Sequence, residues 1–231
     1  ERLELESNKA YWDPKRTPKV DKVVLLPMPE PTTRLAALRS GQVDWIEVPP
    51  PDSIAQLKGS GFQIVTNKYP HNWGHILRLD KDPWNNKAVR KAANYAIDRV
   101  GICKNLLNDT CVPGTGVVYK GHPWFGNPKE TYDHNPAKAK EILKAAGFDG
   151  TSKRPARAVA LISTSGSGQM LPLAMNELIQ KNLKDVGIDV DLQPIEWNSL
   201  TQRFRTGFNT PDNQGLNAWN ISWNFVEPFS A

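Results

Sequence analysis

The pattern of apolar and polar positions along the chain predicts helices and strands that alternate in an α/β protein. The clearest helix lies in residues 82–99, DPWNNKAVRKAANYAIDR, where one apolar stripe repeats at helical spacing. The stripe consists of Val89, Ala92, Ala93, Ala96 and Ile97. Asn85 or Asn86 can cap the first turn, because a short side-chain oxygen accepts hydrogen bonds from free backbone N–H groups.

The second half of the chain continues this alternation. A helix is predicted in residues 134–148, HNPAKAKEILKAAGF, with Asn135 as N-cap, Pro136 in the first turn and Gly147 at its end. The elements that follow are a buried strand at 157–164, an amphipathic helix at 169–187 and a strand with one buried face at 188–197. Strands that alternate with helices in this way are typical of an α/β layer.

Shorter elements are predicted in the first third of the chain. Strands are expected around Leu3 and Leu5, at 23–26, at 43–46 and twice within 62–79, and a short helix through Leu35 and Leu38 is expected to end at Gly41. The weakest connection lies between Leu79 and Trp84, where LDKDP separates a strand from a helix. This connection is the predicted domain boundary.

Composition and charge exclude several classes of function. The 231 residues are 39% hydrophobic and 23% charged, and 29 basic against 24 acidic residues give a net charge of +5. The basic residues are scattered, so no patch favours nucleic acid. No apolar run is long enough to span a membrane, and the first residues carry no signal peptide. Because the chain opens without Met in what looks like a strand, we expect a piece of a longer protein.

No motif in the sequence favours a catalytic or metal-binding site, so an enzyme has no support. The segment STSGSGQM lacks the Gly-x-Ser-x-Gly elbow and the lysine of a phosphate-binding loop. His71 and His75 share one face of a predicted strand but stand about 13 Å apart by strand rise, too far for one metal ion. We therefore predict no catalytic residue, no metal site and no cofactor. Cys103 and Cys111 are close enough to form a disulfide, although two buried free thiols are equally compatible with the sequence.

Tryptophan is the residue type that stands out, with eight in the chain. A tryptophan ring buries a large area and stacks on flat ligands, so tryptophans among polar neighbours are candidate binding residues. Trp12 and Trp45 lie in strand-like contexts and are expected in a core. The predicted ligand-binding residues are Asn72, Trp73, Trp219, Asn220, Trp223 and Asn224.

Five segments in a fixed order resemble the extracellular solute-binding protein family 5, the peptide- and nickel-type receptors of ABC importers. They are ESNKAYWDPKRTPKVDKV, RLAALRSGQVDWIEVPP, DPWNNKAVRKAANYAIDR, YDHNPAKAKEILKAAGF and NLKDVGIDVDLQPIEW. The resemblance implies a two-lobed periplasmic-binding-protein fold (type II, cluster C-like) whose lobes are joined by hinge strands. Residues 1–79 would form part of the first lobe and residues 80–231 the larger part of the second. By the same resemblance, Arg90 and Asp98 organise packing and do not touch ligand.

The resemblance also implies a function: capture of an oligopeptide or similar small solute for delivery to the membrane subunits of an ABC permease. Localisation would be periplasmic or extracellular, with a lipid anchor as one option. Peptide-binding members carry an acidic residue shortly before the Asp/Glu-Pro pair, whereas positions 223–226 before Glu227-Pro228 hold no carboxylate. An oligosaccharide is therefore an alternative ligand. An α/β hydrolytic enzyme is the rival from another class, and Ser165 or Ser167 within hydrogen-bond reach of a histidine would favour it.

Overall fold

The computed structural model describes residues 2–66, 71–116, 118–148, 155–165 and 170–224, the side chains of 223 and 224 excepted. It divides into two compact units, Glu1–Pro49 and Pro50–Ala231.

The first unit is a small hairpin followed by one helix. Strand β1 (Leu3–Glu6) pairs with β2 (Lys22–Leu25) in antiparallel register, and helix α1 covers Pro31–Arg39. The Arg34 guanidinium donates to the carbonyl oxygens of Met28, Pro29, Glu47 and Val48, so one cation joins the two segments that flank the helix.

Two sequence predictions fail in this unit. The strand expected at 43–46 is absent because the chain folds back on α1, where the Val43 N–H donates to Ala37 O instead of to a strand. Trp12 and Trp45 were expected in a core, but they are 79% and 70% exposed. The alternation of apolar and polar residues around Trp12 and Trp45 is typical of a strand. Neither residue belongs to a sheet that would bury it, however.

The second unit contains a four-stranded mixed sheet with helices on both faces. Its strands are β3 (His71–Leu77), β4 (Ala156–Ser163), β5 (Ile188–Ile195) and β6 (Ala218–Asn224). Its helices are α2 (Ile54–Gly59), α3 (Lys87–Ala96), α4 (Arg99–Gly101), α5 (Pro136–Ala145), α6 (Pro172–Val186) and α7 (Trp197–Thr206), and α4 continues into a π-helical turn, Ile102–Leu106. Of the two strands predicted in 62–79, the described residues contain one, β3.

The strand order is β3-β6-β4-β5. Strand β4 runs parallel to β5 and β6, whereas β3 runs antiparallel to β6. Parallel neighbours need a crossover, and α6 supplies it between β4 and β5. The α/β fold class expected from the sequence is therefore confirmed.

Two apolar clusters hold the sheet between its helices. The large core cluster lies against α3, α5 and α6, and its buried members include Val89, Ala92, Ala96, Ala139, Leu143, Ala158, Ala160, Ile162, Met175, Ile179, Leu183 and Ala218. The small core cluster lies against α7 and consists of Leu161, Leu200, Leu216, Trp219 and Ile221. Burial of apolar surface on both faces is what a parallel sheet requires.

The helix ends follow the sequence signals. Asn86, one of the two capping candidates, accepts from Ala88 N at 2.8 Å, and Asn135 accepts from Lys138 N at 2.9 Å. Gly187 ends α6 with φ of 100°, a backbone conformation that other residues adopt at a cost. Each cap satisfies backbone groups that a helix terminus leaves free.

Arg90 and Asp98, predicted to organise packing, both bind the chain next to α3. The Arg90 guanidinium donates to the carbonyl oxygens of Trp84 and Asn85, and the Asp98 carboxylate accepts from Gly101 N at 2.7 Å. The segment 82–101 therefore connects β3 to the first helices of the core.

Cys103 and Cys111 form a disulfide, with 5.3 Å between their Cα atoms. The structure thus decides between the disulfide and the two free thiols that the sequence left open.

The boundary between the compact units lies between Pro49 and Pro50, not in the predicted segment after Leu79. The reason is that β3 pairs with β6 along its whole length, which joins residues 71–77 to the second unit. The assignment of 1–79 and 80–231 to two lobes concerns a longer receptor and stays a prediction.

The packing of α5 on α3 generates a stability prediction. Leu143 is 1% exposed in the large core cluster, whereas the adjacent Lys144 is exposed. We expect Leu143→Ala to lower the free energy of unfolding by about 2–5 kcal/mol, because a cavity adds to the lost burial. Lys144→Ala should change it by less than about 0.5 kcal/mol. Urea unfolding followed by circular dichroism measures both, and equal effects would contradict the packing described.

Candidate functional site

The four-stranded sheet has one edge at which ligands bind in open α/β sheets, and each of the four strands has one end there. The carboxyl ends of β4, β5 and β6 lie there, together with the amino end of the antiparallel β3. We call this the carboxyl edge and define it by His71–Trp73, Ser163, Ile195 and Ser222–Asn224. Helices α6 and α7 begin just beyond it, at Pro172 and Trp197. Open α/β sheets bind ligands outside the carboxyl ends of their strands.

The structure brings the six predicted binding residues onto one pair of strands, β3 and β6. Asn72 pairs with Trp223 and His71 with Asn224, so these residues lie at the carboxyl edge. Trp73 pairs with Ser222 at the next position. The remaining two, Trp219 and Asn220, lie further along β6, opposite Ile76 and His75. The side chains of Trp223 and Asn224 lie outside the described part of the chain, and their binding role stays a prediction.

Trp219 is a core residue in this structure, which does not support its predicted contact with ligand. Its ring is 1% exposed and packs against Phe204 and Phe208, with ring centroids 4.9 and 4.5 Å away. Leu161 lies opposite Trp219 on β4 and belongs to the same small core cluster. Polar neighbours in the sequence suggested a binding tryptophan, but alternation along β6 places Trp219 and Ile221 on the face that α7 covers.

Asn220 is also interior, and its amide both donates and accepts a hydrogen bond within the protein. The side chain is 0% exposed; its Oδ1 accepts from Asn176 Nδ2 at 2.8 Å and its Nδ2 donates to Gly74 O at 2.9 Å. Both directions of its hydrogen bonding are satisfied without ligand. Like Trp219, Asn220 therefore supports the strand pair and is not placed to touch a ligand.

Two residues complete this polar network: Asn176, which no sequence pattern singled out, and His75, which was considered from the sequence only as a metal ligand. Asn176, on α6, is 0% exposed and donates to Pro172 O as well as to Asn220. Its Oδ1 lies 3.1 Å from His75 Nε2, so the ring nitrogen is the donor, since an amide oxygen only accepts. The sequence did hold one signal for Asn176: it is an asparagine on the apolar side of a predicted amphipathic helix, where a polar side chain needs a buried partner.

His75 is held in its neutral form by this environment. Burial lowers the pKa of His75 to about 4, and the hydrogen bond to Asn176 opposes part of that shift. A neutral imidazole donates from one nitrogen only, which matches the single contact to Asn176. The residue therefore acts as a polar link between β3 and α6.

At the carboxyl edge itself, the described side chains of β3 and β6 are polar or aromatic. His71 Nδ1 lies 2.8 Å from Ser222 Oγ, and burial lowers the pKa of His71. Trp73 is partly buried against the large core cluster, with its ring 5.9 Å from that of His75. Asn72 Nδ2 donates to Gly116 O at 3.3 Å. Hydrogen-bonding groups next to an aromatic ring can bind a small polar solute.

The geometry that would favour a hydrolytic enzyme is not among the described contacts. The described hydrogen bonds and ion pairs of the histidines are with Ser222, Asn176, the Trp124 backbone and Asp98, and Ser165 is none of these. Ser167 lies outside the described residues. Within the described ranges, no group of three or more His, Cys, Asp or Glu side chains is arranged to hold a metal ion.

The partly buried His75 generates a pH prediction. Its pKa is about 4 in the folded protein against 6.5 for an exposed histidine, so the unfolded chain binds the extra proton between these values. The free energy of unfolding should therefore fall as the pH drops from 6.5 to 4, by about 1–3 kcal/mol from this residue.

His75→Gln provides the comparison, because glutamine keeps an N–H donor but does not titrate. We expect its unfolding free energy, measured by urea denaturation at several pH values, to depend less on pH than that of the wild type. Parallel profiles for the two proteins would contradict the assignment.

The sequence matches known proteins along nearly its whole length. The profile of the family described as "Bacterial extracellular solute-binding proteins, family 5 Middle" matches residues 1–229. The chain is 28% identical to the oligopeptide-binding protein OppA of Bacillus subtilis, over 98% of this chain and 43% of that protein. It is 29% identical to the nickel-binding periplasmic protein of Escherichia coli, over 87% of this chain and 40% of that protein. The chain thus spans about two fifths of the length of these relatives.

Solved structures show the same fold. DppA of Helicobacter pylori, a periplasmic binding protein in complex with the peptide STSA, superposes with a TM-score of 0.78 at 24% identity, over 96% of this chain and 40% of that one. NikA of Staphylococcus aureus, in complex with Ni(L-His)2, gives a TM-score of 0.77 at 18% identity, over 97% and 45%. Both confirm the predicted periplasmic-binding-protein fold. With the profile match over residues 1–229, they lead to one conclusion: this chain belongs to the bacterial extracellular solute-binding proteins of family 5.

Proposed function

We propose that this chain is part of the substrate-binding component of an ABC importer, which captures an oligopeptide or similar small solute and delivers it to membrane permease subunits. The observation that carries the proposal is the carboxyl edge, where β3 and β6 bring Asn72 and Trp73 next to the backbone of residues 223 and 224. Membership of the family supplies the class of function. The role is binding without catalysis.

Four residues at the carboxyl edge are the proposed ligand contacts. Asn72 and Asn224 offer amide groups to a polar ligand, while Trp73 and Trp223 offer ring surfaces for stacking. Trp219 and Asn220 hold the strand pair that presents these four.

A peptide is the ligand class that we favour. The relatives and the solved structures include proteins named for oligopeptides, dipeptides, nickel and heme. These names give no support to the oligosaccharide alternative. The absence of a carboxylate from positions 223–226 remains a difference from peptide-binding members, because a buried ammonium group needs a counter-charge.

The proposed site of action is the periplasm or the cell exterior. The Cys103–Cys111 disulfide fits an oxidising compartment. Among the described residues, no helix has the length and apolarity needed to cross the membrane.

The proposal predicts a specific pattern of tryptophan substitutions in the full-length receptor. Trialanine, the nickel complex of L-histidine, hemin and maltotriose serve as probes in isothermal titration calorimetry. We expect trialanine to bind, and Trp73→Ala and Trp223→Ala to weaken binding by about 2- to 10-fold through lost stacking. Trp219→Ala should instead lower the melting temperature, because its ring is part of the small core cluster.

Trp45→Ala is the matched control, since Trp45 is 70% exposed and lies on neither β3 nor β6, and it should leave affinity and melting temperature unchanged. Unchanged affinity with a sharply lower melting temperature in Trp223→Ala would show that Trp223 is a core residue. Binding of maltotriose alone would contradict the peptide proposal.

A further inference from the structure

A disulfide-closed loop lies directly beside the carboxyl edge. The bond between Cys103 and Cys111 closes the segment KNLLNDT, and Cys103 is 6% exposed. Leu107, in the middle of this segment, is 1% exposed within the large core cluster. The loop is therefore fixed to the core at Leu107 and at the disulfide.

Two contacts place the segment 103–116, which contains this loop, at the carboxyl edge. Thr110 Oγ1 lies 3.7 Å from Met170 Sδ, two residues before α6 begins. Further along, Gly116 O accepts from Asn72 Nδ2, at the second residue of β3. A Cβ added to Gly114 would lie 3.8 Å from Asn72 Oδ1, so the chain runs past this amide in close contact. The segment 103–116 thus spans from the start of α6 to the start of β3.

The disulfide shortens the free segment that leads to Asn72. With the bond intact, the chain is covalently fixed at Cys111 before it reaches Gly116. Without the bond, the last fully buried residue is Leu107, and Cys111 is held only by partial packing against the large core cluster. A shorter tether keeps its end near its partner at a higher effective concentration. The disulfide therefore favours the contact between Gly116 O and the Asn72 amide.

We propose that residues 103–116 form a fixed wall of the ligand-binding edge, and that the Cys103–Cys111 disulfide positions Asn72 for ligand through this wall. The inference rests on the proposed function, because it assigns a role in binding to a segment that the predicted ligand contacts do not include. Cys103 and Cys111 are positioning residues: they act through Gly116 and Asn72 and do not touch ligand themselves.

The test uses the full-length receptor and two readouts, hydrogen exchange by mass spectrometry and the affinity for whichever of the four calorimetry probes binds the wild type. Cys103→Ala/Cys111→Ala should speed exchange at residues 107–116 by at least about tenfold, because the segment loses its cross-link. It should also weaken probe binding by about 3- to 10-fold, mainly through faster dissociation. Asn72→Ala should speed exchange at 112–116 alone.

Leu183→Ala is the matched control, since it removes a buried side chain from the large core cluster near the other end of α6. It should lower global stability yet leave exchange at 107–116 and probe affinity as in the wild type. If exchange at 107–116 is unchanged in the double cysteine variant, the proposal that the disulfide holds this segment as a fixed wall is wrong. If exchange at 107–116 is faster but probe affinity is unchanged, the disulfide does not position Asn72 for ligand.

The failure of the proposed function has a different signature. If the wild type binds no probe, the assignment as a receptor for these ligands fails. Hydrogen exchange alone then decides whether residues 103–116 form a fixed wall. Faster exchange in both the cysteine and the Asn72 variants then supports the wall, and unchanged exchange rejects it.

Discussion

The antiparallel pairing of β3 with β6 is the interaction on which the second unit and its candidate site depend. Seven residue pairs, from His71 with Asn224 to Leu77 with Ala218, attach the early part of the chain to its last described strand. Because β6 in turn pairs with β4, this ladder joins residues far apart in sequence into one sheet. It also fixes which residues meet at the carboxyl edge.

A buried polar network makes this pairing specific. Asn220 and Asn176 are fully buried, and together with His75 they join β6, α6 and β3 through hydrogen bonds of 2.8–3.1 Å. A slip of one residue would move every side chain of a strand to the opposite face, leaving two buried amides without partners. Apolar packing alone would tolerate such a slip better, so the amides supply specificity at the cost of burying polar groups.

The same sheet separates residues that support the site from residues available to form it. Trp219 is enclosed by Phe204 and Phe208 on the face that α7 covers. Asn72 lies at the edge, where its amide donates to Gly116 O in the segment that follows the disulfide. Polar groups on a rigid strand pair next to a cross-linked segment keep their positions before ligand binds. This lowers the conformational entropy lost on binding.

The sequence by itself determined the helices and their ends, because these depend on neighbours a few residues apart. The stripe of Val89, Ala92 and Ala96, and the caps at Asn86 and Asn135, are local signals, and the structure contains each of them. Five local segments in a fixed order also sufficed to identify the family. Only the tertiary structure decided which face each residue of β3 and β6 occupies, since strand pairing joins positions about 150 residues apart. For that reason the sequence placed Trp219 and Asn220 with the ligand contacts, did not connect His75 with Asn176, and left the disulfide open.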